Sequence, residues 1–328
     1  MKRVLAAPVF LGVSSLLALV AGEFSLRLAS EHWLRILDVE MWRYARLVKV
    51  VSDRPGVVEE HRPNAGAVLM GVQVRTDEHG FRRPDPATEA RRRRGSRTVI
   101  ALGDSLTFGW GVPEGQTYAD QLERLLPARC PGGTPAIVYN AGIGNSNTSM
   151  QLARYRQLLR PLHPSWLILG VFINDAEPDP VPSHNWLIWR SSLAGLLSTR
   201  FLEEREVQLR DYRLYYSGLY RNGQAGWERQ KTALRELGRV LHEDGVPATA
   251  ILLPELHEPH AFGSFVPVYA RLAAIARDSG FEVIDPSNAF PPGSGEAFWV
   301  SPTDAHPDAR AQAIFAEALA GSRFACGR

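Results

Sequence analysis

The chain has 328 residues, enough for one large domain with appendages or for two domains. Its composition, 45% hydrophobic and 22% charged, is that of a globular protein. The formal net charge of +2 is close to neutral, which argues against nucleic acid or a strongly acidic molecule as the partner.

The N-terminus has the pattern of a membrane anchor. Lys2 and Arg3 precede the uncharged run Val4 to Gly22. As a helix this run spans roughly 28 Å, the hydrocarbon thickness of a bilayer. A cleaved signal peptide and an uncleaved anchor both fit, but the length of the run and the lack of a clear Ala-x-Ala site favour the anchor. The basic start predicts a cytoplasmic N-terminus and a periplasmic remainder.

Two further regions precede the main domain. Residues 23–50 mix apolar residues with Arg and Glu, which predicts an amphipathic helix leaving the membrane. Residues 51–90 contain short β-like pieces such as Val68 to Val74. The predicted divisions are an anchor over 1–30, a membrane-proximal extension over 31–95, and a main domain over 96–328.

In the main domain, short apolar strands alternate with amphipathic helices. Continuous apolar strands in such an alternation predict an α/β fold, a five-stranded parallel sheet covered by helices on both faces. The predicted strands are Thr98–Leu102, Ala136–Asn140, Trp166–Phe172, Val246–Leu253 and Phe281–Asp285, and the predicted helices are Tyr118–Arg129, Ser149–Leu159, Trp227–Glu243, Val266–Ser279 and Pro307–Leu319.

An insertion over residues 176–226 interrupts this alternation. It contains aromatic residues such as Trp186, Trp189, Tyr212 and Tyr216. Because it follows the carboxyl end of a strand, it is placed to form a substrate lid or a surface that contacts the membrane. A packing subdomain rich in aromatic residues fits equally well, and the sequence leaves this choice open.

Polar residues gather at the carboxyl ends of the predicted strands, where ligands bind in open α/β sheets. Gly103-Asp104-Ser105-Leu106 follows the first strand, a Gly- and Asn-rich turn follows the second, and Asn174-Asp175 follows the third. Asp304-Ala305-His306 comes just before the last helix. We expect these segments to meet at one edge of the sheet.

This set of residues is suited to acyl transfer. A serine hydroxyl becomes a strong nucleophile when an imidazole takes its proton, and a carboxylate fixes the imidazole tautomer. We therefore predict Ser105 as nucleophile, His306 as base and Asp304 as acid. The oxyanion needs preorganised donors. Those predicted are the Ser105 N–H, an N–H of the Gly144-Asn145 turn and the Asn174 amide.

Together the four segments resemble the conserved blocks of SGNH/GDSL hydrolases, over about residues 98–320. The resemblance implies a flavodoxin-like three-layer α/β/α sandwich and hydrolysis or transfer of ester, thioester or acyl-sugar groups without a metal or other cofactor. The N-terminal anchor and the insertion resemble those of bacterial SGNH-like proteins of the cell envelope.

Two positions depart from the pattern of the family. Asn145 stands where the family usually has Gly, so it stays open whether Gly144 or Asn145 supplies the backbone donor. Asn tolerates the left-handed conformation that such a turn needs. The usual position of the acid, three residues before the His, is Thr303. We favour Asp304, with Asp285 at the end of the last strand as the alternative.

Other residues suggest weaker features. His257 and His260 lie near Glu255, but their spacing is poor evidence for a metal site, and pocket lining or solvent exposure is favoured. Cys130 and Cys326 end two helices that flavodoxin-like order places side by side, so we predict a disulfide between them.

The expected function is that of a serine esterase that cleaves or transfers an acyl group, with O-acetyl groups on envelope polysaccharides as the leading example and lipid esters as a further one. The alternative is a catalytically silent envelope protein that binds glycan or lipid on the same fold. The altered second block and the shifted Asp favour this alternative, whereas the presence of both Ser105 and His306 argues against it.

Overall fold

The structure, a computed structural model, describes residues 6–32, 36–92, 95–180, 190–201 and 212–327. Lys2 and Arg3, on which the predicted membrane orientation depends, lie outside the described residues, as do Trp186 and Trp189 of the insertion.

The N-terminal region begins with helix α1, Ala6–His32. Its segment Val9–Ser30 has a mean hydropathy of 1.9 and is only 6% buried, so by length and composition it is able to cross a membrane. A signal sequence has the same properties. The prediction of a single amphipathic helix over residues 23–50 is wrong. The end of α1 occupies the first part of this range, a second helix, α2, spans Leu37–Leu47, and a strand follows it.

Two short hairpins follow α2. In the first, β1 (Lys49–Val51) pairs with β2 (Glu59–His61). In the second, β3 (Gly66–Leu69) pairs with β4 (Val72–Arg75), so the run Val68 to Val74, predicted as one β-like piece, is divided by a turn. Met70 and Gly71 occupy the turn with φ of 50° and 75°. A two-residue hairpin loop favours positive φ at both positions, which explains why the run reverses there.

Five parallel strands form the central sheet in the order β6-β5-β7-β8-β9. With strands numbered within the sheet this is 2-1-3-4-5, the doubly wound order of flavodoxin-like folds. The predicted α/β fold with a five-stranded parallel sheet is therefore confirmed. The strands are β5 (Arg97–Leu102), β6 (Ala136–Asn140), β7 (Trp166–Val171), β8 (Ala248–Leu252) and β9 (Glu282–Ile284).

Helices cover both faces of this sheet. The helices are α3 (Pro86–Arg91), α4 (Ser105–Phe108), α5 (Tyr118–Arg129), α6 (Thr148–Arg154, continued by a π-helical turn to Leu159), α7 (Ser192–Phe201), α8 (Tyr212–Leu219), α9 (Ala225–Glu243), α10 (Val266–Asp278) and α11 (Ala309–Ala320). A last hairpin, β10 (Trp299–Ser301) with β11 (Asp304–Pro307), precedes α11. One hydrophobic cluster joins α5 and α11 to the sheet, and another joins α6, α9 and α10.

Local sequence signals fix where α5 and α11 begin. Thr117 and Asp120 form a capping box at the start of α5. Asp308 caps α11 by accepting the N–H groups of Arg310 and Ala311, at 2.9 and 3.0 Å. These caps set the start of each helix at the carboxyl edge of the sheet, beside the loops that carry the polar segments.

A disulfide joins the far ends of the same two helices. Cys130 is the C-terminal cap of α5, and Cys326 follows α11. Their sulfur atoms are bonded, with 5.3 Å between the Cα atoms, as the sequence predicts. The bond ties α5 to the end of the chain on the side of the sheet away from Ser105.

The described part of the insertion packs against the N-terminal helices. Glu23 of α1 accepts hydrogen bonds from the N–H groups of Ser192 and Leu193, at 3.0 and 2.8 Å, at the start of α7. Gly195 of α7 lies against the Trp42 ring of α2, so closely that a Cβ there would lie 3.0 Å from the ring. The first turn of α7 is therefore attached to α1 where the uncharged run ends.

Candidate active site

The turn after β5 holds Ser105 at the start of α4. Asp104 caps this short helix by accepting the Leu106 N–H at 2.9 Å. Gly103 is required beside it, because a Cβ there would lie 2.1 Å from the Thr107 hydroxyl oxygen. The Ser105 side chain thus stands at the carboxyl end of the first strand of the sheet, and the residue is 8% exposed.

His306 and Asp304 reach Ser105 from β11. The Nε2 atom of His306 is 2.9 Å from the Ser105 Oγ, and its Nδ1 atom is 2.6 Å from Asp304 Oδ1. Successive side chains of a strand point to opposite faces, so residues two apart share a face. The strand conformation of β11 therefore explains why an acid two residues before the histidine is able to contact it.

A residue not predicted from the sequence holds the other oxygen of the acid. The Trp110 indole Nε1–H donates to Asp304 Oδ2 at 3.0 Å, and the His306 backbone N–H donates to Oδ1 at 3.1 Å. Asp304 is 3% exposed. No sequence signal identifies Trp110, because its partner lies 194 positions further along the chain.

Asp304 and His306 each shift the pKa of the other. Burial lowers the pKa of His306, but the charge and hydrogen bond of Asp304 outweigh burial, and the net pKa is raised from its ordinary value of 6.5. Burial raises the pKa of Asp304, yet His306 and Trp110 outweigh it and leave the pKa lowered. The pair thus favours an ionised carboxylate beside an imidazole that readily takes a proton.

Asp285, the alternative acid, lies elsewhere. Its carboxylate accepts the Ser287 backbone N–H at 2.8 Å and caps the turn after β9. The structure brings Asp304, and not Asp285, into contact with His306.

Asn174 approaches the site from the end of β7. Its side-chain amide donates to Asp104 Oδ2 at 3.0 Å, which orients the amide beside the serine turn. An amide nitrogen has two N–H bonds, and among the described residues only Asp104 accepts from this one, which makes the second N–H a candidate donor to a substrate oxygen. The neighbouring Asp175 accepts the Phe172 N–H at 3.1 Å and serves the loop structure.

The turn after β6 borders the serine on another side. Ile143 C=O accepts the Ser146 N–H at 3.2 Å, which closes a turn with Gly144 and Asn145 at its centre. The Gly144 N–H is occupied, because it donates to the Tyr44 hydroxyl at 3.1 Å. Of the two donors that the sequence left open, this bond favours Asn145 over Gly144. Among the described residues nothing accepts the Asn145 N–H, which leaves it as the candidate donor of this turn.

A cleft of about 390 Å³ opens beside the triad and includes side chains from the extension and the insertion. His257 lies in the wall of this cleft, and its Nδ1 is hydrogen-bonded to Glu255. The centroids of the Tyr212 and Trp299 rings lie 4.8 and 4.7 Å from that of the His257 ring. Among the described residues, no group of three or more His, Cys, Asp and Glu side chains is arranged to hold a metal. The lining residues are Leu37, Leu106, Phe172, Tyr212, Tyr216, Pro254, Glu255, Leu256, His257, Trp299, Thr303, Asp304, Ala305 and His306.

A larger cavity of about 680 Å³ lies at the opposite edge of the sheet, where β8 and β9 begin. It is lined by side chains such as Arg239 and His242 and shares no residue with the triad. Its size alone does not indicate function, because the groups able to perform acyl transfer lie in the smaller cleft.

Comparison with solved structures finds chains that are similar over about two thirds of this chain. One is LAE5, an alpha/beta hydrolase enzyme from the metagenome of Lake Arreo, Spain, with 18% identity, coverage of 69% of this chain and 93% of that chain, and a TM-score of 0.46. A second is a catalytic mutant of Axe2, an acetylxylan esterase from Geobacillus stearothermophilus, with 16% identity, coverage of 70% of this chain and 96% of that chain, and a TM-score of 0.45. A third is a lipolytic protein of the G-D-S-L family from Desulfitobacterium hafniense, with 13% identity, coverage of 69% of this chain and 98% of that chain, and a TM-score of 0.40. No curated protein sequence matches the chain.

The family comparison covers most of the main domain. Residues 101–314 match the GDSL-like Lipase/Acylhydrolase family, a segment that begins inside β5 and ends inside α11. It includes the serine turn, the turn after β6, Asn174 and the Asp304–His306 pair. The chain therefore belongs to the GDSL-like lipase/acylhydrolase family.

Proposed function

We propose that the chain is a serine esterase that cleaves or transfers an acyl group through Ser105, His306 and Asp304. The observation that carries this proposal is the continuous series of hydrogen bonds from Asp304 through His306 to the Ser105 Oγ, with distances of 2.6 and 2.9 Å. Both distances lie within the range that proton transfer requires.

In the proposed reaction the Ser105 Oγ attacks the ester carbonyl carbon while His306 Nε2 takes the hydroxyl proton. The Ser105 N–H, the Asn145 N–H and the Asn174 amide stabilise the negative oxygen of the tetrahedral intermediate. The intermediate collapses, and the alcohol leaves with the proton from His306. Water then attacks the acyl-enzyme in hydrolysis, or a second hydroxyl attacks it in transfer.

We infer an O-acylated carbohydrate as the substrate, with a short acyl group such as acetyl. The support is the cleft wall, where the Tyr212 and Trp299 rings flank the half-exposed His257. Aromatic rings pack against the C–H faces of a sugar, and an imidazole is able to hydrogen-bond its hydroxyl groups. A lipid ester is the second candidate, favoured by the apolar residues Leu37, Phe172 and Leu256 in the same wall.

The proposal extends to location and domain division. We propose that residues 1–30 form an uncleaved anchor, residues 31–95 a membrane-proximal extension, and residues 96–328 a periplasmic catalytic domain with an insertion at 176–226. The apolar character of Val9–Ser30 supports the anchor. An anchored protein stays with the membrane after an alkaline carbonate wash, whereas release of a chain shortened by about the mass of residues 1–30 would contradict the anchor.

The catalytic proposal is tested on the full-length protein in detergent. Wild type should react with a fluorophosphonate probe and hydrolyse p-nitrophenyl acetate, whereas Ser105→Ala should do neither. Ser294→Ala, which removes an exposed hydroxyl, is the matched control and should behave as wild type.

Labelling of the Ser105→Ala variant would contradict Ser105 as nucleophile. A folded wild-type protein that neither reacts nor turns over would favour the silent binding protein instead. Comparison of acetylated oligosaccharides with long-chain lipid esters then decides between the two substrate classes.

A further inference from the structure

Both polar groups of Gly144 are bound by side chains from outside the family-matching region. The Gly144 N–H donates to the Tyr44 hydroxyl at 3.1 Å, and the Lys49 ammonium donates to the Gly144 C=O at 2.7 Å. Tyr44 and Lys49 are only 1% and 2% exposed. Gly144 itself lies against the Tyr44 ring, where a Cβ would come within 2.9 Å of a ring carbon. The extension therefore holds two successive peptides of the turn: Tyr44 binds the N–H of the Ile143–Gly144 peptide, and Lys49 binds the carbonyl of the central Gly144–Asn145 peptide.

The hydrogen bonds of Tyr44 have a defined direction. His61 Nδ1 lies 3.0 Å from the Gly80 carbonyl, which only accepts, so Nδ1 carries the proton. Burial, followed by the charge of Arg154, lowers the pKa of His61 to about 3, so the ring is neutral and Nε2 accepts. The Tyr44 O–H donates to that Nε2 at 2.5 Å, which leaves its oxygen lone pairs for the Gly144 N–H.

Lys49 is fixed in the same way. Its ammonium donates to Glu59 at 2.7 Å as well as to the Gly144 carbonyl. Glu59 is 8% exposed and lies on β2, the strand paired with β1. A buried ammonium that is paired with a carboxylate and hydrogen-bonded to a carbonyl has little freedom to move.

The geometry of the peptide unit links Lys49 to the oxyanion site. The carbonyl of Gly144 and the N–H of Asn145 belong to one trans peptide and point in opposite directions. Asn145 has φ of 61°, the positive value required at the third position of a type II turn. Rotation of this central peptide by about 180° converts type II geometry into type I and reverses the N–H. While Lys49 holds the carbonyl, that rotation is opposed.

The turn lies directly beside the nucleophile. A Cβ built on Gly144 would be 3.7 Å from the Ser105 Cβ. We propose that Tyr44 and Lys49 are positioning residues, which hold the Gly144–Asn145 peptide so that the Asn145 N–H faces the oxyanion. This inference rests on the proposed esterase function. The inference makes the extension a part of the active site, although the extension precedes residues 101–314, which match the family.

The experiment uses the full-length protein in detergent with two substitutions. Tyr44→Phe removes the hydroxyl and keeps the ring, and Lys49→Met removes the donor and keeps the length. Loss of a positioned oxyanion donor costs about 10²–10³ in kcat. We therefore expect kcat for p-nitrophenyl acetate to fall by about 10-fold in Tyr44→Phe and about 100-fold in Lys49→Met, with KM changed less than about twofold.

Matched controls remove equivalent groups elsewhere. Tyr155→Phe deletes another buried tyrosine hydroxyl, which bonds Asp244 at 3.0 Å, and Lys231→Met deletes an ammonium that pairs with Glu228 near the protein surface. Both should keep wild-type kcat. Since Lys49→Met leaves Glu59 buried without its partner, Lys49→Met combined with Glu59→Gln is the companion variant should the single variant fail to fold.

The rate of fluorophosphonate labelling separates the two possible failures. If folded wild type is not labelled, the proposed function is wrong. If wild type is labelled and the Tyr44 and Lys49 variants are labelled at the same rate with unchanged kcat, the positioning inference is wrong. Equal losses of kcat and of melting temperature in Tyr44→Phe and Tyr155→Phe would also overturn it, because they would show a general effect on stability.

Discussion

Two turns border the Ser105 hydroxyl, and different parts of the chain hold them. The serine turn is held within the main domain, where Gln312 of α11 donates to the Leu106 C=O at 3.0 Å and Asn174 donates to Asp104. The turn at Gly144 is held by Tyr44 and Lys49, 100 and 95 positions earlier in the chain. In the proposed mechanism the nucleophile thus depends on the family fold, whereas the oxyanion turn depends on a segment that precedes it.

The largest effect should come from the part of the site that lies within the family fold. Asp304→Asn is expected to lower kcat about 10⁴-fold, because an amide N–H facing His306 Nδ1 favours the wrong tautomer. Steady-state hydrolysis of p-nitrophenyl acetate measures the loss. Asp285→Asn, which alters only a turn cap, should stay within about threefold of wild type. Similar losses in both variants would contradict Asp304 as the acid.

A smaller effect is expected at Asn174, which also belongs to the main domain. Asn174→Ala removes a side-chain donor from the oxyanion site and should lower kcat about 10²–10³-fold, or roughly 3 kcal/mol of transition-state stabilisation. KM should change little, because the donor acts mainly on the charge that develops in the reaction. Asn288→Ala, an exposed position, is the control. A loss confined to KM would assign Asn174 to substrate binding instead.

The smallest effect is a shift in pH dependence, and it distinguishes the Asp304–His306 pair from the turn at Gly144. The pKa of His306 is raised from 6.5, and the base must be neutral to accept the serine proton, so kcat/KM should fall as pH decreases through a value above 6.5. Asp304→Asn should move this inflection to lower pH. Lys49→Met should lower the rate without moving the inflection, because the carboxylates that raise the pKa of His306 are Asp304 and Asp104.

A pH–rate profile of the three proteins checks this distinction. An inflection that moves equally in Lys49→Met and Asp304→Asn would show that the extension acts on the base and not on the oxyanion turn. The comparison between the two turns would then fail.

Much of the fold was predictable because its signals are local. The limits of α5 and β6 agree with the prediction at both ends, since a capping box, apolar runs and loop residues mark them. The run Val68 to Val74 was harder, because its turn uses Met70, a residue that rarely adopts positive φ. Apolar content alone does not reveal that a short run reverses direction.

Contacts between segments that are far apart in the chain could not be predicted from the sequence. The spacing of Asp304 and His306 indicated a pair, and the β-strand that contains them explains why that spacing works. Tyr44, Lys49 and Trp110 carried no such signal, because their partners in the candidate site, Gly144 and Asp304, lie between 95 and 194 positions away. A lone buried lysine in a weakly patterned region predicts nothing until the fold shows what it binds.

The attachment of α7 to Glu23 has a consequence for how the main domain is held to α1. The uncharged run of α1 ends at Gly22, and the next residue binds the first turn of the insertion. If α1 crosses a membrane, Glu23 lies within the segment Val9–Ser30, and its hydrogen bonds hold the first turn of α7 beside that segment. The main domain would then be tied to the membrane helix at two places, through the chain that follows α1 and through the contact of Glu23 with α7.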